Sequence, residues 1–433
     1  MELYKHQQEI LNLLTEHKGF GVFAEQGTGK TLPMLIHITN LFMSGKIDNC
    51  LIVAPLSATG AWSRDLAKLS KLRQSYANKI TILNYDKLSR KTSKYREEVT
   101  KHWGCIVLDE AHAIKERTSN RTKFLLSLSA YCDYRYILTG TPLTNGRLED
   151  FFTLMNFIYP QTFSSWKEFA ARYLIQFQLP GSFVSIVRGY RNTDELLGIV
   201  AQRSIRIMKK DCLDLPEKMP DEVIYVENQE KKMYKEALKL FIEELDIIMA
   251  NGLVKIAKIR QLLSGHIKND LAETIRLKCD KIKALDELLD SIGTKTVIFA
   301  EFKESIKMIQ ELLTSKKLKF VTLDGEQKDK QIWKKFQEDD SIQVIVCQYG
   351  SANAGIDLYK SSHTIYYEPN LSTTVISQSK DRTHRIGVQQ ACNYYWLITK
   401  GTLEEDIYNK LVKKEDFNKE ALQEIIERYK KEK

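Results

Sequence analysis

One short string restricts this chain to few folds. AEQGTGKT (Ala24–Thr31) follows the apolar run GFGVFA (Gly19–Ala24) and precedes TLPMLIHITNLFM (Thr31–Met43), whose apolar residues recur at helical spacing. A buried strand, a glycine turn and a helix in that order leave backbone N–H groups at a helix N-terminus, where a phosphate is favoured. Gly27 and Gly29 let those groups turn inward. Lys30 is placed to reach the outer phosphate oxygens, and the Thr31 hydroxyl to ligate Mg2+. Ala24 stands where the pattern usually opens with glycine. Taken alone, the string also reads as a plain glycine turn before a helix.

A second string narrows the choice. GCIVLDEAH (Gly104–His112) reads as a buried strand ending in two carboxylates, at the edge where an open parallel sheet keeps its ligands. Asp109 is expected to hold Mg2+ through water and Glu110 to polarise an attacking water. His112 is assigned a coupling role rather than a catalytic one. A third string lies far downstream, QSKDRTHRIG (Gln378–Gly387). Arg382 and Arg385 are three apart, so on a helix they share a face and point at one anion. A solvated basic helix end is the bland alternative. Arginines of this kind stabilise charge on a transferred phosphoryl group.

Together these strings resemble the core of helicase superfamily two, in its Swi/Snf-type branch of double-stranded DNA translocases. LYKHQQEILNLL resembles the Q motif, LIVAPLSATGAW (Leu51–Trp62) motif Ia, ILNYDKL (Ile82–Leu88) motif Ib and LTGTPLTN (Leu138–Asn145) motif III. TVIFAEF (Thr296–Phe302) resembles motif IV, and VTLDG (Val321–Gly325) the strand and turn after it. Val346–Asn370 resembles motif V with its flank, and QSKDRTHRIGVQQ (Gln378–Gln390) motif VI. The resemblance implies an α/β fold of two tandem RecA-like lobes with parallel sheets and helical insertions between motifs III and IV. It implies nucleotide contacts from Gln7 at adenine and from Gln26, Gly27, Thr28, Gly29, Lys30, Thr31, Gly355, Asp357 and Gln378. It further implies coupling by Thr139 and Thr141, and DNA contacts from Ser57, Tyr85, Gly325 and Ser351. Two departures stand out: Glu368-Pro369-Asn370 replaces the usual Trp-Asn-Pro, and Asp357 occupies a place where relatives commonly carry asparagine.

Length agrees, since 433 residues exceed one ordinary core and suit two lobes. The expected division is 1–228, with a helical insertion at about 146–205, and 229–433, with a helical protrusion at about 229–275. Aromatics crowd the first insertion (Phe151, Phe152, Phe157, Tyr159, Phe163, Trp166, Phe169) and read as its core rather than as a base-stacking platform. A net charge of +9 suits a polyanion, although a lysine-rich solvated surface gives the same sum. The seven cysteines show no C-x-x-C spacing, which argues against a zinc site or disulfide framework. No apolar run approaches membrane-spanning length. The tail from Glu404 reads as a mixed-charge amphipathic helix.

The expectation is therefore a DNA-dependent ATPase that uses ATP and Mg2+ at the interlobe cleft to move along double-stranded DNA without separating strands. A fork-remodelling, annealing or unwinding helicase is the first alternative, and a noncatalytic ATP switch the second. Binding should be nonspecific, through the phosphate backbone. A monomer without membrane attachment is expected, cytoplasmic in a bacterium or in a virus-infected host cell, and nuclear in a eukaryote.

Overall fold

The computed structural model describes residues 3–55, 58–89, 100–143, 146–178, 185–212, 214–245, 252–268, 273–329, 331–352 and 356–415. The chain divides into two compact units, Met1–Asp214 and Leu215–Lys433. Each is built on a six-stranded sheet whose neighbouring strands run parallel, as expected of tandem RecA-like lobes.

In the first unit the strands are β1 (Gly19–Ala24), β2 (Cys50–Ala54), β3 (Ile80–Asn84), β4 (Trp103–Asp109) and β5 (Cys132–Leu138). After an insertion carrying β6 (Leu174–Gln178) and β7 (Ser185–Tyr190) comes β8 (Ser204–Ile207). The spatial order is β3-β2-β4-β5-β1-β8. GFGVFA, CLIVA and WGCIVLD are almost wholly buried, because parallel strands covered on both faces are continuous apolar runs. Parallel strands deliver the loops that follow them to one edge. Since β4, β5 and β1 are neighbours, with Leu138 opposite both Asp109 and Val22, the segments after Ala24, Asp109 and Leu138 share a rim.

The second unit contains β9 (Lys218–Val226), an antiparallel hairpin of β10 (His266–Lys268) and β11 (Thr274–Arg276), then β12 (Thr296–Ala300), β13 (Phe320–Leu323), β14 (Val344–Gln348), β15 (His363–Tyr366) and β16 (Cys392–Thr399). Its sheet order is β13-β14-β12-β15-β16-β9. Deep in this unit the Lys281 ammonium lies 2.5 Å from Glu404 Oε1, both side chains fully buried, and it also donates to Tyr367 O at 3.0 Å.

One boundary and the make-up of two insertions differ from the sequence expectation. The division falls at 214/215 rather than after 228, because β9 pairs with β16 along its length. Nothing local in a half-exposed edge strand says which sheet it will join. The insertion at about 146–205 is not wholly helical. Helices Asp150–Ile158, Trp166–Tyr173 and Thr193–Gln202 are accompanied by the antiparallel β6–β7 hairpin, and β8 returns to the first sheet beside β1. The segment at about 229–275 likewise adds the β10–β11 hairpin to helices Lys231–Leu245 and Gly252–Leu263. The insertion aromatics behave as a core: Phe151, Phe152, Phe157, Phe163 and Phe169 are buried, with Trp166 packed against them. Near the C-terminus a helix spans Leu403–Val412, and residues 416–433 of the expected terminal helix lie outside the described residues. Among the described residues, no helix is long and apolar enough to cross a membrane.

Candidate nucleotide site and its second-unit residues

The phosphate loop leaves β1 at Ala24 and enters helix Thr31–Met43. Gly27 (φ 83°) and Gly29 (φ 74°) occupy the left-handed region that other residues disfavour. A Cβ at Gly29 would also stand 2.5 Å from Gln7 Nε2. Helix Lys5–Glu16 grips this loop through two side chains, His6 Nε2 donating to Thr28 O (2.8 Å) and Gln7 Nε2 to Gly29 O (3.0 Å). Gln7 Oε1 accepts from Tyr4 N at 3.1 Å. The residue expected at adenine is thus buried, with a donor and an acceptor already engaged by backbone. Thr28 Oγ1 donates to Glu25 O at 2.8 Å and closes the turn from inside.

Glu110 is the centre of the site. Its backbone (φ 51°, ψ 52°) is left-handed, a conformation that costs a non-glycine residue about 1–3 kcal/mol and that recurs at functional sites. Its Oε1 accepts from Gln26 Nε2 at 3.1 Å and lies 3.5 Å from Lys30 Nζ, while Oε2 is 3.3 Å from His112 Nδ1. Lys30 is buried, and its ammonium reaches Ala24 O at 3.5 Å. Asp109 is held on both oxygens: Oδ1 accepts from Glu110 N (3.0 Å) and Oδ2 from the indole N–H of Trp62 (2.8 Å). Burial, and then the neighbouring Glu110, push the Asp109 carboxyl up to about 6. One hydroxyl, Thr31, and one carboxylate, Asp109, form a donor set that suits Mg2+, which takes one or two protein oxygens and completes its shell with phosphates and water.

Sequence reasoning did not find Trp62. It lies in the motif Ia string, but no spacing rule tells an indole in helix Thr59–Ala67 to reach a carboxylate 47 positions later. The expectation for Tyr85 is overturned. Its ring is buried, and its hydroxyl donates to Asp109 O at 2.8 Å, so it braces the end of β4 instead of facing DNA. Thr139 is buried behind the phosphate loop. Its N–H donates to Val22 O (3.1 Å) and its Oγ1 accepts from Thr141 N (3.2 Å). Gly140 lies so close to the loop base that a Cβ would stand 3.4 Å from Gln26 N.

In the second unit the expected residues separate onto two edges of one sheet. Gly325 follows β13 and Ser351 follows β14, at the carboxyl edge; Gly325 is exposed and donates its N–H to Gln348 Oε1 at 3.3 Å. Asp357 and Arg385 instead lie on segments that lead into the amino-terminal ends of β15 and β16. Gln378 is half-buried on helix Thr373–Thr383. That helix ends before Arg385, since His384 (ψ 83°) leaves helical geometry. The expected common helical face for Arg382 and Arg385 is therefore absent. Arg382 is buried within the unit, and its carbonyl accepts from Leu358 N at 2.8 Å, whereas Arg385 is half-buried and ion-paired with Asp357. Ser57 and Gly355 lie outside the described residues.

A family model of an SNF2-related domain matches residues 6–270, and one of a helicase conserved C-terminal domain matches residues 280–387. A SWI/SNF-related matrix-associated actin-dependent regulator of chromatin subfamily A-like protein 1 homolog of Caenorhabditis elegans is 28% identical over 96% of this chain and 61% of its own length. The DNA annealing helicase and endonuclease ZRANB3 of Homo sapiens is 25% identical over 90% of this chain and 37% of its own length. Among solved structures, a Sulfolobus solfataricus SWI2/SNF2 ATPase core in complex with dsDNA aligns over 95% of this chain and 91% of that chain, with 23% identity and a TM-score of 0.44. The chain thus spans less than two thirds of the length of these curated relatives.

Proposed function

The chain belongs to the SNF2-related family and carries that family's ATP-dependent, helicase-like core; from that premise we propose that it is a DNA-dependent ATPase that moves along double-stranded DNA without separating strands. The observation that carries the reading is the convergence of Gln26, Lys30 and His112 on Glu110, beside a phosphate loop whose glycines are set for an anion.

The roles follow from the geometry of the first unit. Loop N–H groups and Lys30 would receive the triphosphate, and Thr31 and Asp109 would hold Mg2+, which would neutralise part of the phosphate charge. Drawing Lys30 toward the phosphates takes a cation away from Glu110. The carboxylate is then left with Gln26 and His112 as partners and is available to orient water for in-line attack. Because Gly140, between Thr139 and Thr141, lies against the base of the same loop, a change in loop position is proposed to reach motif III through that contact. Arg385 is the second-unit group proposed to stabilise charge on the transferred phosphoryl group. Gly325 and Ser351, at the carboxyl edge of the second sheet, are the proposed contacts to the DNA backbone. The net charge of +9 supports a polyanionic partner.

A second reading, fork remodelling by strand annealing, is favoured by the relatives named as annealing helicases. ATP hydrolysis measured with duplex, single-stranded, forked and RNA ligands, together with triplex displacement and strand-annealing assays, separates the two. Stimulation by plain duplex with triplex displacement supports translocation. Stimulation confined to forks, with annealing, supports the second reading, and stimulation by RNA or single strands alone removes both.

A further inference from the structure

Two segments of the second unit are fastened together around one ion pair. The Asp357 carboxylate pairs with Arg385 Nη1, and the same nitrogen donates to Ile356 O at 3.3 Å. Leu358 N donates to Arg382 O at 2.8 Å. Gly387 (φ 105°) lies flat on Tyr359, where a Cβ would come within 3.0 Å of the ring.

The two partners are not equally constrained. From helix Trp333–Glu338 the buried Gln337 carboxamide donates to Asp357 O at 2.5 Å and accepts from Lys360 N at 3.3 Å, spanning the turn that carries Asp357. Arg385 sits beyond a helix end, on a long side chain. The pair is partly open to solvent, with side-chain exposures of 26% for Arg385 and 30% for Asp357. A guanidinium fork accepts a carboxylate or a phosphate by the same geometry. A partly exposed pair is weak enough for a phosphate to replace the carboxylate.

We infer that Asp357 is a positioning residue that holds Arg385 in reserve, so that the guanidinium must exchange this carboxylate for the phosphoryl group before hydrolysis. This rests on the proposed role of Arg385 in ATP hydrolysis. It moves Asp357 from a direct nucleotide contact to a competitor for the arginine. An asparagine at this position would supply the same shape without the competing charge.

The test is Asp357→Asn in the full chain, read by affinity for a non-hydrolysable ATP analogue and by KM and kcat for ATP with and without duplex DNA. The expected result is tighter analogue binding and a lower KM, each by roughly two- to fivefold, with kcat at saturating ATP and duplex held within about twofold. In an Arg385→Ala background the same exchange leaves analogue affinity unchanged, since Asp357 acts through the arginine. A higher KM at constant kcat would show that Asp357 contacts the nucleotide itself, and a fall in kcat that it orients Arg385 for catalysis. Either result, or no change, overturns the inference. If Arg385→Ala alone hydrolyses ATP normally on duplex DNA, the fault lies in the role given to Arg385, whatever Asp357 does.

Discussion

In the first unit the groups of the phosphate loop and of the Asp109–Glu110 pair stand where β1 and β4 end, at the carboxyl edge of the sheet, with Lys30 and Asp109 buried. In the second, Asp357 and Arg385 lie on segments entering β15 and β16, at the amino edge, and they are partly solvated. Both units keep a cation beside a carboxylate, Lys30 by Glu110 and Arg385 by Asp357. The difference lies in what surrounds each pair. Lys30 is enclosed by the loop and shares Glu110 with Gln26 and His112, so its ammonium has little room except toward the loop. Arg385 has a solvent-facing side and a partner fixed from behind by Gln337. A third pair, Lys281 with Glu404, is wholly buried and has no exchange to make.

The comparison breaks most visibly at Arg385. Arg385→Ala should lower duplex-stimulated ATP turnover by about 10³-fold or more while duplex affinity, measured by titration at fixed salt, stays near the wild-type value. A loss confined to DNA binding would make the residue a backbone contact. Next is Glu110→Gln, expected to cut turnover by about 10²-fold or more with nucleotide still bound; an unaffected rate would take the water-orienting role from Glu110. Glu404→Gln probes the pair that serves the fold alone. It strands a buried ammonium and should cost about 3 kcal/mol of stability, read as a lower denaturation midpoint, whereas kcat of the folded fraction is unchanged.

The smallest effect is a pH dependence peculiar to the first unit. Because burial raises the Asp109 carboxyl to about 6, the group is protonated below that pH and loses its ability to hold a cation. Turnover should therefore fall as pH drops through about 6. Higher Mg2+ should move the acid limb to lower pH, since a bound cation favours the ionised form. An acid limb indifferent to Mg2+ belongs to another group. The same raised value means that the Asp109 contribution to stability is full below the unfolded carboxyl range and is lost as pH rises through about 6.

Much of the first unit was legible from local pattern. Gly27 and Gly29 announced a turn needing positive φ, GCIVLDEAH announced a buried strand ending in carboxylates, and the apolar runs announced parallel strands. The errors came where the outcome depends on distant partners. Tyr85 was expected at DNA from its place in the motif Ib string, and the distant residues that bury its ring are not visible in that string. Arg382 and Arg385 looked coplanar on a helix because the residues before them favour one, whereas the helix breaks at His384, whose ring bonds Pro216 O at 2.8 Å on the distant segment that precedes β9. The hairpins hidden in the two insertions share this origin, since short strands carry too little periodicity to announce themselves beside helices.

By itself the sequence determined which chemistry the chain can support. Backbone conformation and hydrogen-bonding capacity are local properties, so a glycine-rich turn before a helix and a strand ending in Asp109 and Glu110 carry their meaning wherever they are placed. Only the tertiary structure decided which charges meet. The side-chain partners of Lys30, Asp109 and Arg385 come from residues that the fold, not chain proximity, brings alongside. Burial then sets how strongly each is held, because the energy of a charge depends on its dielectric surroundings and on every partner within a few ångströms.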